Sequence, residues 1–171
     1  MKLIRSVIIF CAIVICGMSC IKNKSSDCQY TITNNVAPAG EQSVLQTYLD
    51  TNNIVAVKHP NGFYYSIQTA GTKTDSIGVC SQIQISYTGK FVNGVTFDSN
   101  SGVWLPLGKL IDGWKYGIPL IGKGGRIKLY IPPSLGYGSA DIKDQTSGKV
   151  VIPANSILIF DISMSDYTKQ N

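Results

Sequence analysis

Apolar and polar positions alternate along this chain in three different rhythms. Val7 to Ile15 is an unbroken apolar run. In "AGEQSVLQTYLDTNN", Val44, Leu45, Tyr48 and Leu49 recur at the spacing of one helix face, and Asn52 and Asn53 offer a stop, which predicts a short amphipathic helix that packs on the domain or acts as a spacer. After the turn "KHPNG" the period falls to two. "FYYSIQT" (Phe63–Thr69), "SQIQISYTG" (Ser81–Gly89), "VTFDS" (Val95–Ser99), "RIKLYIP" (Arg126–Pro132) and "SILIFDISM" (Ser156–Met164) alternate and are rich in Ile, Tyr and Phe. Such strands with turn-length connectors predict an antiparallel sheet. Asn93-Gly94 is the strongest hairpin signal, because both residues accept the positive φ of a type I′ turn. Asp112 can cap a short helix that begins near Gly113 and is stopped by Gly117 and Pro119. One short helix on the apolar face of a twisted antiparallel sheet is an α+β arrangement, here preceded by the N-terminal helix.

The apolar run at the start changes the picture of where the protein works. Lys2 and Arg5 precede it and small residues follow it, the layout of a secretory signal over residues 1–19, with a run short for a membrane span. "GMSC" resembles a bacterial lipoprotein lipobox in which Cys20 becomes the lipidated first residue, although Gly17 stands where a Leu-like residue is usual. An ordinary cleaved signal and an uncleaved anchor are the alternatives. Residues 20–37, polar and without period, then read as a lipid-anchored tether, residues 38–61 as helix and turn, and residues 62–171 as the main domain. Of the five cysteines, Cys11 and Cys16 leave with the signal and Cys20 takes lipid, so Cys28 and Cys80 remain as a pair that the sequence leaves either bonded or free.

Charge and chemistry exclude more than they select. Without Lys2 and Arg5 the chain carries 13 basic against 10 acidic residues, a net +3. Only "GKGGRIK" gathers cations, and it reads as a solvated turn, so nucleic-acid binding has no support. The single histidine, His59, sits in a turn and reads as solvent-facing. That leaves no His-dependent nucleophile set and too few ligands for a zinc site built on His and Cys. No phosphate-cradling glycine motif occurs.

What stands out is a set of large side chains at strand ends: Tyr87, Phe97, Trp114, Tyr137 and Phe160, with Val151 and Ile152 before Pro153. Any one alone reads as core. Together they lie in four ordered motifs, "YTGKFVNGVTFDSN", "PLGKLIDGW", "IPPSLGYG" and "VIPANSILIFDI". Through these the chain from about Gly62 to Tyr167 resembles the FKBP-type peptidyl-prolyl cis-trans isomerases, and its N-terminal extension resembles the lipoprotein forms of Bacteroidetes-like bacteria.

The resemblance implies an antiparallel sheet of five to six strands wrapped around a short helix, with a shallow apolar pocket between them. It implies that Trp114 is the floor and that Tyr87, Phe97, Ile111 and Phe160 are walls, Ile111 also offering its backbone N–H. Asp98 and Tyr137 supply polar contacts at the rim, and Val151 and Ile152 join Phe97 and Trp114 around a proline ring. Tyr87, Phe97, Asp98 and Tyr137 are the candidate catalytic residues. The family often has another aromatic wall after the "FDS" segment; here Val103 and Trp104 are the nearest candidates, and the pocket is open on one side if Trp104 does not substitute. The loop Ser139–Lys149 is long and polar and contributes no pocket residue. The implied ligands are proline-containing polypeptide segments and macrolides of the tacrolimus type, with no cofactor or metal, and the implied location is the cell envelope, at the outer membrane through the N-terminal lipid. Two other functions stay open: a proline-binding or chaperone module with little turnover, and a structural lipoprotein with a vestigial pocket.

Overall fold

The computed structural model describes residues 28–168, so the signal, Cys20 and the start of the tether lie outside the described residues. In chain order the elements are α1 (Ala39–Thr51), β1 (Val57–Lys58), β2 (Tyr64–Thr69), β3 (Gln82–Phe91), β4 (Thr96–Pro106), α2 (Asp112–Gly117), β5 (Arg126–Ile131), β6 (Ile142–Lys143), β7 (Val150–Ile152) and β8 (Leu158–Thr168). Six strands form one sheet in the order β1-β2-β5-β8-β3-β4, and β6 and β7 pair separately. Every pairing is antiparallel.

Register explains why this sheet can be covered on both sides. Leu129 on β5 opposes Phe160 on β8, and Phe160 opposes Gly89 on β3; this row faces α2. One residue along, Tyr64, Tyr130 and Ile159 form the next row, which by the period of two faces the other way. The inner face packs Ile83, Ile85, Ile127, Leu129, Ile131, Phe160 and Ile162 against Trp114 and Ile118. On the outer face, Tyr64 and Tyr130 pack against Leu45 and Leu49 of α1. The N-terminal helix is therefore docked on its own domain. Leu45 and Leu49, one turn apart, are its buried stripe, while Val44 stays exposed.

Several local expectations are corrected. Strand β4 does not end at Ser99 but runs to Pro106, because a register shift between Ile85 and Tyr87 lets alternation resume, with Val103 opposite Ile85 and Leu105 opposite Ile83. Asp112 is not a cap: Ile111 occupies that position and Asp112 is the first helical residue, its carboxylate held by Lys115 at 3.0 Å and Asn35 at 2.6 Å. The α-helix does end at Gly117, as expected, and the chain passes into a 3-10 turn over Ile118–Leu120 with Pro119 in its first turn, where a missing N–H is no loss. His59 is half-buried, stacked on Phe63 with ring centroids 4.4 Å apart, and its Nδ1 accepts the Asn61 N–H at 3.2 Å. Residues 139–149, expected as loop, include strand β6 and the turn at Asp144 that leads to β7.

Candidate functional site

Between α2 and the end of the sheet lies a cavity of about 150 Å³ lined by Tyr87, Asp98, Leu105, Lys109, Leu110, Ile111, Trp114, Tyr137 and Phe160. An apolar cavity of this order holds a benzene-sized ring. A proline ring is comparable.

Each wall has a local cause. Trp114 sits on the first turn of α2 and is 4% exposed; its Nε1 is a buried donor with no partner among the described residues. Tyr87 and Phe160 meet the indole edge-to-face at 5.1 and 4.9 Å between centroids, the geometry that aromatic quadrupoles favour. Phe97 meets Phe160 in the same way at 5.5 Å and packs against Phe91 at 4.8 Å with the rings tilted by 35°. The glycine of the "YTG" motif is required here: a Cβ on Gly89 would come within 2.7 Å of both Phe160 and Phe97. Tyr137 follows a 3-10 turn over Pro133–Leu135, and its loop is tied down by Gly138 N–H to Pro133 O at 2.8 Å and Asn155 N–H to Gly138 O at 2.9 Å.

The polar groups are set for holding rather than proton transfer. The Tyr87 hydroxyl donates to Asp98 Oδ2 at 2.7 Å. Burial, then the hydrogen bond and charge of Asp98, push the Tyr87 phenol far above its usual range. Burial and Asp98 likewise raise Tyr137. Both hydroxyls stay protonated donors at neutral pH.

Of the residues expected from the sequence, the cavity brings together Tyr87, Asp98, Ile111, Trp114, Tyr137 and Phe160. Phe97 stands behind Phe160, braced by Phe91, and Ile152 is buried in the core. Neither these two nor Val103, Trp104 and Val151 line the cavity. Val103 packs on the core beside it, Trp104 lies on the opposite face of β4 and is 45% exposed, and Val151 is 43% exposed on β7. The physical reason is parity: residues 103 and 105 share the inner face, so Leu105 and not Trp104 becomes a wall. Leu105, Leu110 and Lys109 were missed. Alternation carried past Ser99 would have found Leu105; nothing in local pattern marks the turn that presents Lys109 and Leu110.

Another concavity, about 640 Å³, lies on the outer sheet face and includes Lys90, Lys128 and the Arg126–Asp161 ion pair, whose atoms approach to 2.8 Å. It is wide and polar. Among the described residues no group of three His, Cys, Asp or Glu side chains could hold a metal ion, and no helix is long and apolar enough to cross a membrane.

Residues 74–165 match the family model described as FKBP-type peptidyl-prolyl cis-trans isomerase, more than half of the chain. The chain belongs to that family. It is 42% identical over 113 residues to the FKBP-type peptidyl-prolyl cis-trans isomerase FkpA of Buchnera aphidicola, a match covering 64% of this chain and 42% of that protein. The Mip peptidyl-prolyl cis-trans isomerase of Chlamydia muridarum is 31% identical over 137 residues, 78% of this chain and 52% of its own length. The crystal structure of Escherichia coli FkpA superposes with a TM-score of 0.64 at 29% identity, covering 78% of this chain and 62% of that one. The fold is thus FKBP-like, while the matched part spans about half or less of the curated relatives' length.

Proposed function

We propose that the protein is a peptidyl-prolyl cis-trans isomerase that accelerates X-Pro isomerisation in extended segments of exported proteins. The observation that carries this reading is the aromatic cavity of Tyr87, Trp114 and Phe160 with Asp98 and Tyr137 at its rim, in a chain of this family. Resonance holds an X-Pro amide planar behind a barrier of about 18–20 kcal/mol. Catalysis requires only that the twisted amide be bound better than either planar isomer. In this reading the proline ring seats on Trp114 between Tyr87 and Phe160, which strips water from the adjoining carbonyl. The twisted bond, having lost double-bond character, suffers less from that loss than the planar one. Tyr137 donates to the substrate backbone, the Ile111 N–H does the same from the opposite wall, and Asp98 fixes the Tyr87 ring. Phe97 acts through Phe160. Tacrolimus-type macrolides are expected to compete for the cavity.

A second reading, a proline-binding or chaperone module, draws on the outward placement of Trp104 and Val151, which takes two expected side chains out of the cavity wall. Cis/trans exchange of an Ala-Xaa-Pro-Phe peptide series, followed by NMR with the full chain in detergent, separates the two. Acceleration by the parent that falls in Tyr137→Ala and Phe97→Ala supports the isomerase; binding without acceleration selects the module.

The cellular placement is also our inference: cleavage before Cys20, lipid on its thiol and amine, and residence at the outer membrane facing the periplasm or the cell surface. The mass of the N-terminal peptide of the membrane-extracted protein tests it. An unmodified Cys20 would rule lipidation out.

A further inference from the structure

Residues 28–37, read from sequence as part of a tether, are gripped at nearly every second position. Cys28 is paired with Cys80, with Cα atoms 5.6 Å apart, within the span a disulfide takes. The Tyr30 ring lies against Gly108, where a Cβ would come within 2.2 Å of the ring. Thr33 Oγ1 and Asn35 Nδ2 both donate to Asp112 Oδ2, at 3.1 and 2.6 Å. The Tyr116 hydroxyl donates to Thr33 O and accepts the Asn35 N–H at 3.1 Å. Ala37 N–H closes the run on Asn61 O at 2.9 Å.

These anchor points share a purpose. Gly108 is the middle of the turn Leu107–Lys109, Asp112 is the residue after Ile111, and Tyr116 is on the same helix as Trp114. Lys109, Leu110, Ile111 and Trp114 are one wall and the floor of the cavity. That wall is anchored at its two ends, by the fully buried Leu107 with its N–H on Ser81 O at 3.0 Å, and by Ile111 O, which accepts the N–H groups of Trp114 and Lys115 at 2.9 and 3.2 Å; between them Leu110 N–H bonds to Leu107 O at 3.1 Å. Ser81 is next to Cys80, so the disulfide and the turn hang from one point. No strap residue lines the cavity. The strap also lies before the family-matched segment 74–165.

We propose that Cys28–Asn35 is a strap that positions the cavity wall Leu107–Ile111, with Tyr30 as its principal positioning residue, and that the Cys28–Cys80 bond makes this brace redox-releasable. The proposal rests on the cavity being the isomerase site. Cys28 is exposed and Cys80 half-buried, so a soluble dithiol can reach the bond. One thiolate of the dithiol attacks a cystine sulfur and forms a mixed disulfide, releasing the other cysteine as a thiol. The second thiol of the reductant then attacks the reductant sulfur of that mixed disulfide and displaces the remaining cysteine as a thiol, leaving Cys28 and Cys80 both reduced and the reductant as a cyclic disulfide. Two electrons and two protons pass to the protein. Release of Cys28 frees the end of the strap beside Tyr30, and the wall loosens.

The test uses the full chain, oxidised and after treatment with dithiothreitol, beside Tyr30→Ala and Tyr30→Phe. Amide exchange at Gly108–Asp112 should quicken about tenfold on reduction and in Tyr30→Ala, while core amides of β5 and β8 hold. The KM for the peptide series should rise about threefold to tenfold with kcat within about twofold, the signature of lost ground-state and transition-state binding together. Tyr30→Phe should restore both. Unchanged exchange and unchanged KM in the reduced protein and in Tyr30→Ala would overturn the strap. An oxidised parent with no isomerase activity would instead sink the reading of the cavity, and the exchange rates alone would then decide whether the strap holds the wall.

Discussion

Tyr87 shows how a side chain can serve a reaction without titrating. Its ring is one wall, its hydroxyl is spent on Asp98, and burial together with that carboxylate keeps the phenol protonated far beyond neutrality. Tyr137 is held protonated by the same causes. His59, the one group with an ordinary pKa near 6.5, is stacked on Phe63 away from the cavity, and burial lowers it despite the opposing hydrogen bond with Asn61. The expected profile of kcat/KM is therefore flat, within about twofold between pH 6 and 9, the range in which neither tyrosine ionises. A step centred near the histidine range, measured by the same NMR exchange, would implicate general acid or base chemistry that this cavity is not built to supply. Tyr137→Phe, which keeps the ring and removes the donor, should lose less than Tyr137→Ala.

At the scale of elements, α1 is a buttress with a definable worth. Leu45 and Leu49 are fully buried against Tyr64 and Tyr130 on the sheet face opposite the cavity. Leu45→Ala should cost about 2–4 kcal/mol by the usual transfer and cavity costs, with kcat/KM at 25 °C unchanged; urea unfolding and peptide exchange check the two halves. The same helix shows what the sequence could and could not say. Its existence followed from the spacing of Leu45, Tyr48 and Leu49, but its docking followed only from the outer row Tyr64, Tyr130 and Ile159, which requires a strand order that no local pattern contains. In strand β4 a bulge interrupts the period of two, and it hides from local pattern the parity that puts Leu105 inside and Trp104 outside. Asp112 reads as a cap in isolation; beside its neighbour Lys115, its partners Asn35 and Thr33 come from more than 70 residues away. The aromatic cavity was legible because its residues sit in motifs with fixed spacing. The strap was not, because the contacts that tie it to Gly108, Asp112 and Tyr116 are all long-range.

For the whole molecule, acid is the informative stress. Burial alone would raise Asp112, but the hydrogen bonds from Asn35, Lys115 and Thr33 and the charge of Lys115 outweigh it, so its folded pKa lies below the ordinary carboxylate value. Asp161 is lowered first by its hydrogen bonds from Arg126, against the opposing effect of burial. The sign follows directly: a carboxyl depressed in the folded state contributes stability that is complete above its unfolded pKa of about 3.9 and is lost as pH falls through the lower folded value. The melting temperature should accordingly hold steady down to about pH 4 and fall below it. The two carboxylates are not equivalent in this fall. Asp161 bridges to Arg126 on the exposed outer face, where solvent and salt weaken an ion pair, so Asp161→Asn should change the acid limb little. Asp112 is nearly enclosed, with Lys115 and Tyr116 beside it on α2 and the strap across it. Asp112→Asn should flatten the acid limb more, and in the parent the amides of Thr33 to Asn35 should begin to exchange faster at a higher pH than the sheet core does. Simultaneous loss of strap and core protection on acidification would show that Asp112 holds the fold as a unit and not the strap in particular.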